Sequence, residues 1–390
     1  MTPTTDPRTQ DAVALTADLV GIDSVNPSLV PGAAGEHAIA EFVRDWAAGC
    51  GLDSRTVFGP DGRPSVLVRG GAGRHGRTLL LCGHLDTVGH GTMRDPLAAT
   101  RDGGRLHGRG SYDMKAGLAA ALVACREAAA AGIGGQVLVA AVADEEHSST
   151  GVQAVLNWLR AEQIVPDAAV VTEPTETDVA VAHKGFVWTE IEVIGRAAHG
   201  SRPQLGIDAI SRMGPVLVAL DRFDRELARR PPHPLLGSSS LHASLISGGA
   251  EASTIPELCT LTVERRTLPG QTVGEVEADI ARLLDRCAAD QPDLVTRTRT
   301  LLARQPLQTR ADEPIVTMLT EVASRIDGRP RTPSGLSYWA DSAFLAAAGI
   351  PTVLFGPRGE GAHAEVEWVE IASVHACAEV LTALARDFSA

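Results

Sequence analysis

The chain runs to 390 residues, 44% hydrophobic and 21% charged, which suffices for two domains with a large core and is unlike a disordered composition. A net charge of −13 argues against nucleic acid or an anionic membrane as the main partner. Six cysteines scattered without a C-x-x-C pair, and the polar start "MTPTTDPRTQD", speak against a disulfide framework and a secretory leader, so a cytoplasmic location is expected.

In chain order, apolar periodicity predicts helices over 11–19 and 36–50. "SVLVRG" and "TLLLCGH" read as strands, and residues 115–131 as a long Ala-rich helix. Its tract "AGLAAALVACREAAAAG" carries Arg126 and Glu127, so it is not a membrane span. The strands "QVLVAAVA" and "AAVVTE" follow, with a helix over 151–162 between them. This alternation predicts an α/β layer with mostly parallel strands. After His183 the order becomes strand 186–195, helix 206–227, strands "SLHASLISGG" and "CTLTVERRTL", helix 273–288 and strand "LVTRTRTLLA". That β-α-β-β-α-β order is a ferredoxin-like module set into the larger layer. Helices over 314–326 and 342–348, the strand "PTVLFG" and a helix from about 371 resume the first pattern. The expected division is 1–182 and 305–390 as one domain, with 183–304 inserted.

Chemistry concentrates at the ends of the strands. An open α/β sheet delivers functional groups at the C-terminal ends of its parallel strands. The run "LLLCGHLDTVG" ends in His84 and Asp86, which share one face of the strand. "GRGSYDMKAG" puts Asp113 in a Gly-flanked turn, "VADEEHSSTG" supplies Asp144, Glu145 and Glu146, "VVTEPTE" supplies Glu173, and "GPRGEGAHAEVEW" supplies His363. Singly, each has a plain reading as a helix cap or a solvated loop residue. Together they form an oxygen and imidazole set without thiolate, which suits Zn²⁺, Co²⁺ or Mn²⁺. The set His84, Asp113, Glu146, Glu173 and His363, two histidines and three carboxylates, exceeds one four-coordinate ion and suits a pair ~3.5–4 Å apart with one carboxylate bridging. Of the adjacent Glu145 and Glu146, one then binds metal and the other stays free as a base, while Asp86 orients the His84 ring.

The stretches "GHLDTV", "GRGSYDMKAGLAA", "ADEEHSSTG", "EPT", "HKGFVWTEIEVIGRAAHGSRPQLGIDAI", "ISGGAEASTIP", "ERRTLPG" and "FGPRGEGAHAEVEW" follow one another from about residue 79 to 368. In that order they resemble the dinuclear-zinc family of aminoacylases, acetylornithine deacetylases, succinyl-diaminopimelate desuccinylases and glutamate carboxypeptidases. The resemblance implies a zinc-peptidase-like catalytic domain with an inserted lid and dimerisation module, two Zn²⁺ per subunit, and a homodimer. It implies that His84 and Glu173 hold one ion, Glu146 and His363 the other, and Asp113 bridges. Glu145 would be general base and acid, taking a proton from water and passing it to the leaving amine. His199 matches the histidine that reaches a neighbouring subunit's site and steadies the oxyanion. Arg266 matches the clamp on a substrate carboxylate; a salt bridge to Glu264 is its rival reading.

Departures from the family pattern bear on the pocket. Relatives commonly carry Asn where this chain has Ser253 or Thr254, so that contact to substrate is altered. Ala116 replaces a glycine, a packing change. The "GLSYWADSAF" stretch resembles a substrate-facing loop that includes Gly335, and Asp341 in it is expected to cap the following helix. "GAGRHG" matches a dinucleotide fingerprint but precedes a strand, so it fails that test. No G-x-S-x-G elbow or Walker loop is present. The expected activity is cleavage of the amide of an N-acyl amino acid, acetylornithine first. The alternatives are a dipeptidase, carboxypeptidase or desuccinylase of the same family, and more remotely a non-catalytic metal-dependent binding protein.

Overall fold

A computed structural model describes residues 6–73 and 75–389; the first five residues of the polar N-terminal stretch lie outside them. The chain divides into two compact units. One comprises Met1–Val181, Thr309–Ser334 and Ala340–Ala390, and the other Ala182–Gln308 with the short excursion Gly335–Trp339.

In the first unit, the strands Gln136–Val142, Thr78–His84, Ala168–Val171 and Thr352–Leu354 lie side by side and parallel. Pro64–Gly70 and then Asp53–Phe58 extend the sheet antiparallel on one side, and Ala180–His183 pairs antiparallel on the other. The mostly parallel expectation is met at the centre of the sheet, while the margins are antiparallel. The short turn between Asp53–Phe58 and Pro64–Gly70 explains one margin, because a few residues can close a hairpin but not a parallel crossover. The central strands are apolar on both faces, with Leu79, Leu80 and Leu81 all buried, as a sheet covered by helices on both sides demands.

The helix Ala116–Ala130 packs against Ile371–Phe388 and Ala12–Val20. It is buried almost all round, and its alanines let three helices and the sheet approach closely. A small separate sheet joins Trp368–Glu370 to Arg105–His107.

The second unit pairs its strands in the order Ser240–Gly248, Leu258–Thr267, Gly185–Ile194, Val295–Arg304, all antiparallel. The helices Ala209–Ala228 and Val273–Asp290 cover one face. There Met213, Val216, Leu220, Ile280 and Leu283 meet Ile191, Val193, Leu261 and Val263 in one core. This is the ferredoxin-like arrangement. Among the described residues no helix is long and apolar enough to cross a membrane, and all six cysteines are free thiols.

Candidate metal centre

The four parallel strands of the first unit end side by side, and their continuations supply most of the cluster. His84 closes the Thr78–His84 strand with its side chain buried. Its Nδ1 lies 2.9 Å from the backbone carbonyl of Asp86. A carbonyl only accepts, so Nδ1 carries a hydrogen; Nε2 is then the atom that donates to Asp113 when the ring is protonated and offers a lone pair when it is neutral. Nε2 stands 3.2 Å from Asp113 Oδ1 and 3.8 Å from Glu173 Oε1. The other oxygen of Asp113, Oδ2, stands 3.2 Å from His363 Nε2, which is also 3.0 Å from Glu146 Oε2. Asp113 therefore spans the two imidazoles, one carboxylate oxygen to each. Ligand-type atoms of His84, Asp113 and Glu146 lie within 4.8 Å of one another, as do those of His84, Glu145 and Glu173. All five residues the sequence singles out as ligands come together, with Glu145 beside them.

The corner that carries Glu173 is set by close backbone approach. A Cβ on Gly117, at the start of the Ala116–Ala130 helix, would fall 1.8 Å from the Thr172 carbonyl oxygen. One on Gly356 would fall 2.1 Å from that of Glu173. Only glycine lets both segments touch the strand end.

Asp86 is placed differently from the expectation. Its Oδ1 is 3.8 Å from His84 Nδ1, beyond a hydrogen bond. The ring is held by the Asp86 backbone instead. The carboxylate accepts from the backbone N–H of Glu145 at 3.1 Å, the N–H of Glu146 at 3.2 Å and Asn26 Nδ2 at 2.8 Å. It organises the turn that bears the two glutamates.

The electrostatics are those of a site built for cations. Burial works against a charged His84, but Asp113, Glu173 and Glu145 around it raise its pKa well above the ordinary value. Burial, aided by the charges of Glu173, Asp341 and Glu146 and opposed by His84, holds the Glu145 carboxyl well above its usual range. Burial and Asp113 raise Glu146, and Glu173 is pushed up to about 8, chiefly by burial. Burial would raise Asp113 as well, but hydrogen bonds from His363 and His84 keep it below the usual carboxylate range. Bonds to Asp113 and Glu146 lift His363 to about 10. Four carboxylates thus share two imidazoles, and Glu146 Oε1 is buried with no hydrogen-bond partner. Uncompensated buried charge of this kind is costly. An oxygen and nitrogen donor set with an orphaned carboxylate oxygen fits a pair of divalent cations.

The remaining candidates lie in the second unit. His199 is exposed, paired with Thr254 in a two-residue ladder, and its Nδ1 meets Ser201 Oγ at 2.8 Å. Ser253 is exposed beside it and accepts the Gly200 N–H through its backbone carbonyl at 2.7 Å. Arg266 donates from Nε to Glu264 Oε1 at 2.6 Å and stacks over Phe186, so the salt-bridge reading describes its present partner. Gly335 packs tightly, since a Cβ there would meet Leu236 Cδ2 at 2.7 Å and the Leu235 carbonyl at 2.8 Å. Asp341, in the first unit, makes no side-chain capping bond to the helix Ser342–Ala347, contrary to expectation. It is buried, and its charge helps raise Glu145 and Glu173.

Sequence reading missed a buried frame behind the glutamates. Asp144, at φ +66, accepts from Arg63 Nη1 at 2.5 Å and Asn26 Nδ2 at 3.2 Å. Arg63 also pairs with the buried Glu36. Asp144 is one of the strand-end acids and Glu36 opens a helix, but Asn26 and Arg63 sit in polar turns whose sequence looks solvated, so only burial marks the frame.

A model of peptidase family M20/M25/M40 matches residues 80–387. The acetylornithine deacetylase of Myxococcus xanthus is 30% identical over 336 residues, covering 83% of this chain and 83% of that protein. The M20 family metallo-carboxypeptidase Sso-CP2 from Sulfolobus solfataricus shares the fold with a TM-score of 0.77 at 15% identity, over 98% of this chain and 100% of that one. A dinuclear metal binding peptidase of the same family from Bacillus subtilis, YXEP, does so with a TM-score of 0.74 at 14% identity, over 97% of each. Because the family match runs through every strand end that feeds the cluster, the chain belongs to peptidase family M20/M25/M40 and is a metal-dependent hydrolase of amide bonds.

Proposed function

We propose that the protein deacylates N-acyl amino acids of the acetylornithine type, with Zn²⁺ as its native metal and Co²⁺ or Mn²⁺ as substitutes. The observation that carries the reading is Asp113 placed between two imidazoles, one oxygen to each, with Glu145 alongside. His84 and Glu173 would hold one ion, His363 and Glu146 the other, and Asp113 would contribute an oxygen to each. When bound, the pair supplies Lewis acidity toward the amide carbonyl and toward water. Glu145 takes a proton from the attacking water and delivers it to the amine nitrogen as the C–N bond breaks, leaving a free carboxylic acid and a free amine. Its burial raises its proton affinity, which favours its taking a proton. Arg266 would clamp the substrate's carboxylate, Ser253 would contact the substrate or the oxyanion, and His199 would donate to the oxyanion of a neighbouring copy.

Residues 183–304, the larger part of the second unit, form the dimerisation module in this reading. Its edge strand Ser240–Gly248 turns Leu245 and Ile246 outward, 70% and 56% exposed, which an unpaired sheet edge in a monomer would avoid. The free thiols support a reducing, cytoplasmic location.

Likeness to the Myxococcus xanthus deacetylase favours deacylation over peptide cleavage. The test is amine release from N-acetyl- and N-succinyl-amino acids and from a dipeptide panel, with Zn²⁺ or Co²⁺ added. Faster turnover of dipeptides would move the assignment to the peptidase branch. Glu145→Gln should lower kcat by about 10²–10⁴-fold while two metal equivalents remain bound; hydrolysis that survives it would remove Glu145 as the base.

A further inference from the structure

We propose that Glu367 is a positioning residue that sets Asp113 and, through Arg109, the loop of His363, so that one buried carboxylate aligns donors of both metal positions. The inference rests on the metal reading given above. Glu367 is buried with its side chain 1% exposed. Its Oε1 accepts from the backbone N–H groups of Tyr112 and Asp113, both at 3.0 Å. Its Oε2 accepts from the N–H of Gly110 at 3.0 Å and from Arg109 Nη1 at 2.7 Å. Four donors thus converge on one carboxylate, and three of them are consecutive or near-consecutive amides of the turn that presents Asp113. The Gly108 N–H also donates to the Glu367 backbone carbonyl at 3.2 Å. The ladder between Trp368–Glu370 and Arg105–His107 brings the two segments into register.

Arg109 extends the frame to the second histidine. Its Nη2 donates to the backbone carbonyl of Ala364 at 2.9 Å, one residue beyond His363. His363 itself sits at φ +63, a left-handed conformation that a non-glycine residue keeps only where its surroundings impose it. The guanidinium fork can bridge a carboxylate and a carbonyl together, which a lysine ammonium cannot do with the same geometry. Outer partners that orient ligands in this way commonly govern metal affinity as strongly as the ligands' own chemistry.

Two variants test the proposal on metal-stripped full-length protein titrated with Co²⁺ and followed by its visible absorption. Unmutated protein should take up two equivalents. Glu367→Gln, which turns an amide NH₂ toward backbone donors, should weaken Co²⁺ uptake by about 10- to 100-fold while circular dichroism shows a folded chain. Arg109→Lys keeps the charge and the contact to Glu367 but releases Ala364, so it should weaken one equivalent and leave the other at its original affinity. If both variants fold and bind two equivalents as the unmutated protein does, Glu367 and Arg109 are merely structural and the proposal is overturned. Should Glu367→Gln fail to fold, Arg109→Lys decides alone. Failure of unmutated protein to bind Co²⁺ would overturn the metal reading and this inference with it, and that failure is visible before any substitution is made.

Discussion

Arg63 places one guanidinium between two buried carboxylates, Glu36 and Asp144. Its side chain is 8% exposed and theirs are 1% and 2% exposed, so neither acid has water to fall back on. Removing one member of such a set leaves unpaired charge in a poorly solvated place, a loss of about 3–5 kcal/mol. Arg63→Met should therefore lower the free energy of unfolding in urea by that amount, far more than the loss of an exposed pair such as Arg310 with Asp312. The change should also reach the chemistry. Asp144 holds a left-handed backbone immediately before Glu145, and Arg63 is the charged partner of its side chain beside the neutral donors Asn26 and Thr150. The expected signature is a fall in kcat larger than any rise in KM, measured on N-acetyl amino acids. A stability loss below about 1 kcal/mol, the range of an exposed pair, would mean that Glu36 and Asp144 find other partners.

Two glycines at helix starts should respond in opposite directions to the same substitution. In an ordinary helix interior Gly→Ala gains roughly 0.5–1 kcal/mol. At exposed Gly274, in the helix Val273–Asp290, an added Cβ would meet nothing within 4 Å, so Gly274→Ala should raise the melting temperature slightly. At Gly117 the same methyl lands 1.8 Å from the Thr172 carbonyl. There overpacking of about 1–3 kcal/mol or more outweighs the helical gain, and the helix must lift away from the strand end that carries Glu173. Gly117→Ala should lower the melting temperature and the metal affinity together. The contrast also marks what a sequence can reveal. Buried strands such as Thr78–His84 are legible because a short continuous apolar run between turn residues marks an element covered on both faces, and the long helices because their periodicity repeats. Asp53–Phe58 is not, since it is a mostly exposed margin strand with polar residues and no clean alternation. The three-residue ladders Arg105–His107 and Trp368–Glu370 are too short to show any period, yet they deliver Glu367 to the turn of Asp113. The convergence of His84, Asp113, Glu146, Glu173 and His363 could be anticipated because successive strand ends of one sheet all carry histidine or carboxylate. Asn26, Arg63 and Glu367 could not, because a polar residue in a loop reads the same whether it is buried or solvated.

At the scale of the whole molecule, stability should depend on metal and on acid through separate groups. In the first unit the stripped centre leaves Asp113, Glu145, Glu146 and Glu173 sharing two imidazoles, so chelation should depress the melting temperature and added Zn²⁺ should restore it. Each site held at about 100 times its dissociation constant contributes about 2.7 kcal/mol to the folded state. The acid response has a distinct origin in the strand Ala180–His183. His183 is fully buried, its Nδ1 2.9 Å from the Lys184 carbonyl. Burial holds its pKa down at about 4, against 6.5 for the free side chain. The unfolded chain therefore binds a proton that the folded one refuses between those values. Its contribution is intact above pH 6.5 and is lost progressively as the pH falls toward 4, below which it changes no further. A gap of this size corresponds to a loss on the order of 3 kcal/mol. His183→Gln retains a donor but cannot titrate, so its stability should fall less steeply than that of the unmutated protein across this window, whatever its absolute value at neutral pH. The comparison is made by urea unfolding at a series of pH values, with the metal content of both proteins matched so that ligand protonation contributes equally. Parallel curves would show that His183 accepts its proton in the folded state as readily as in the unfolded one, through a local opening that brings water to the ring.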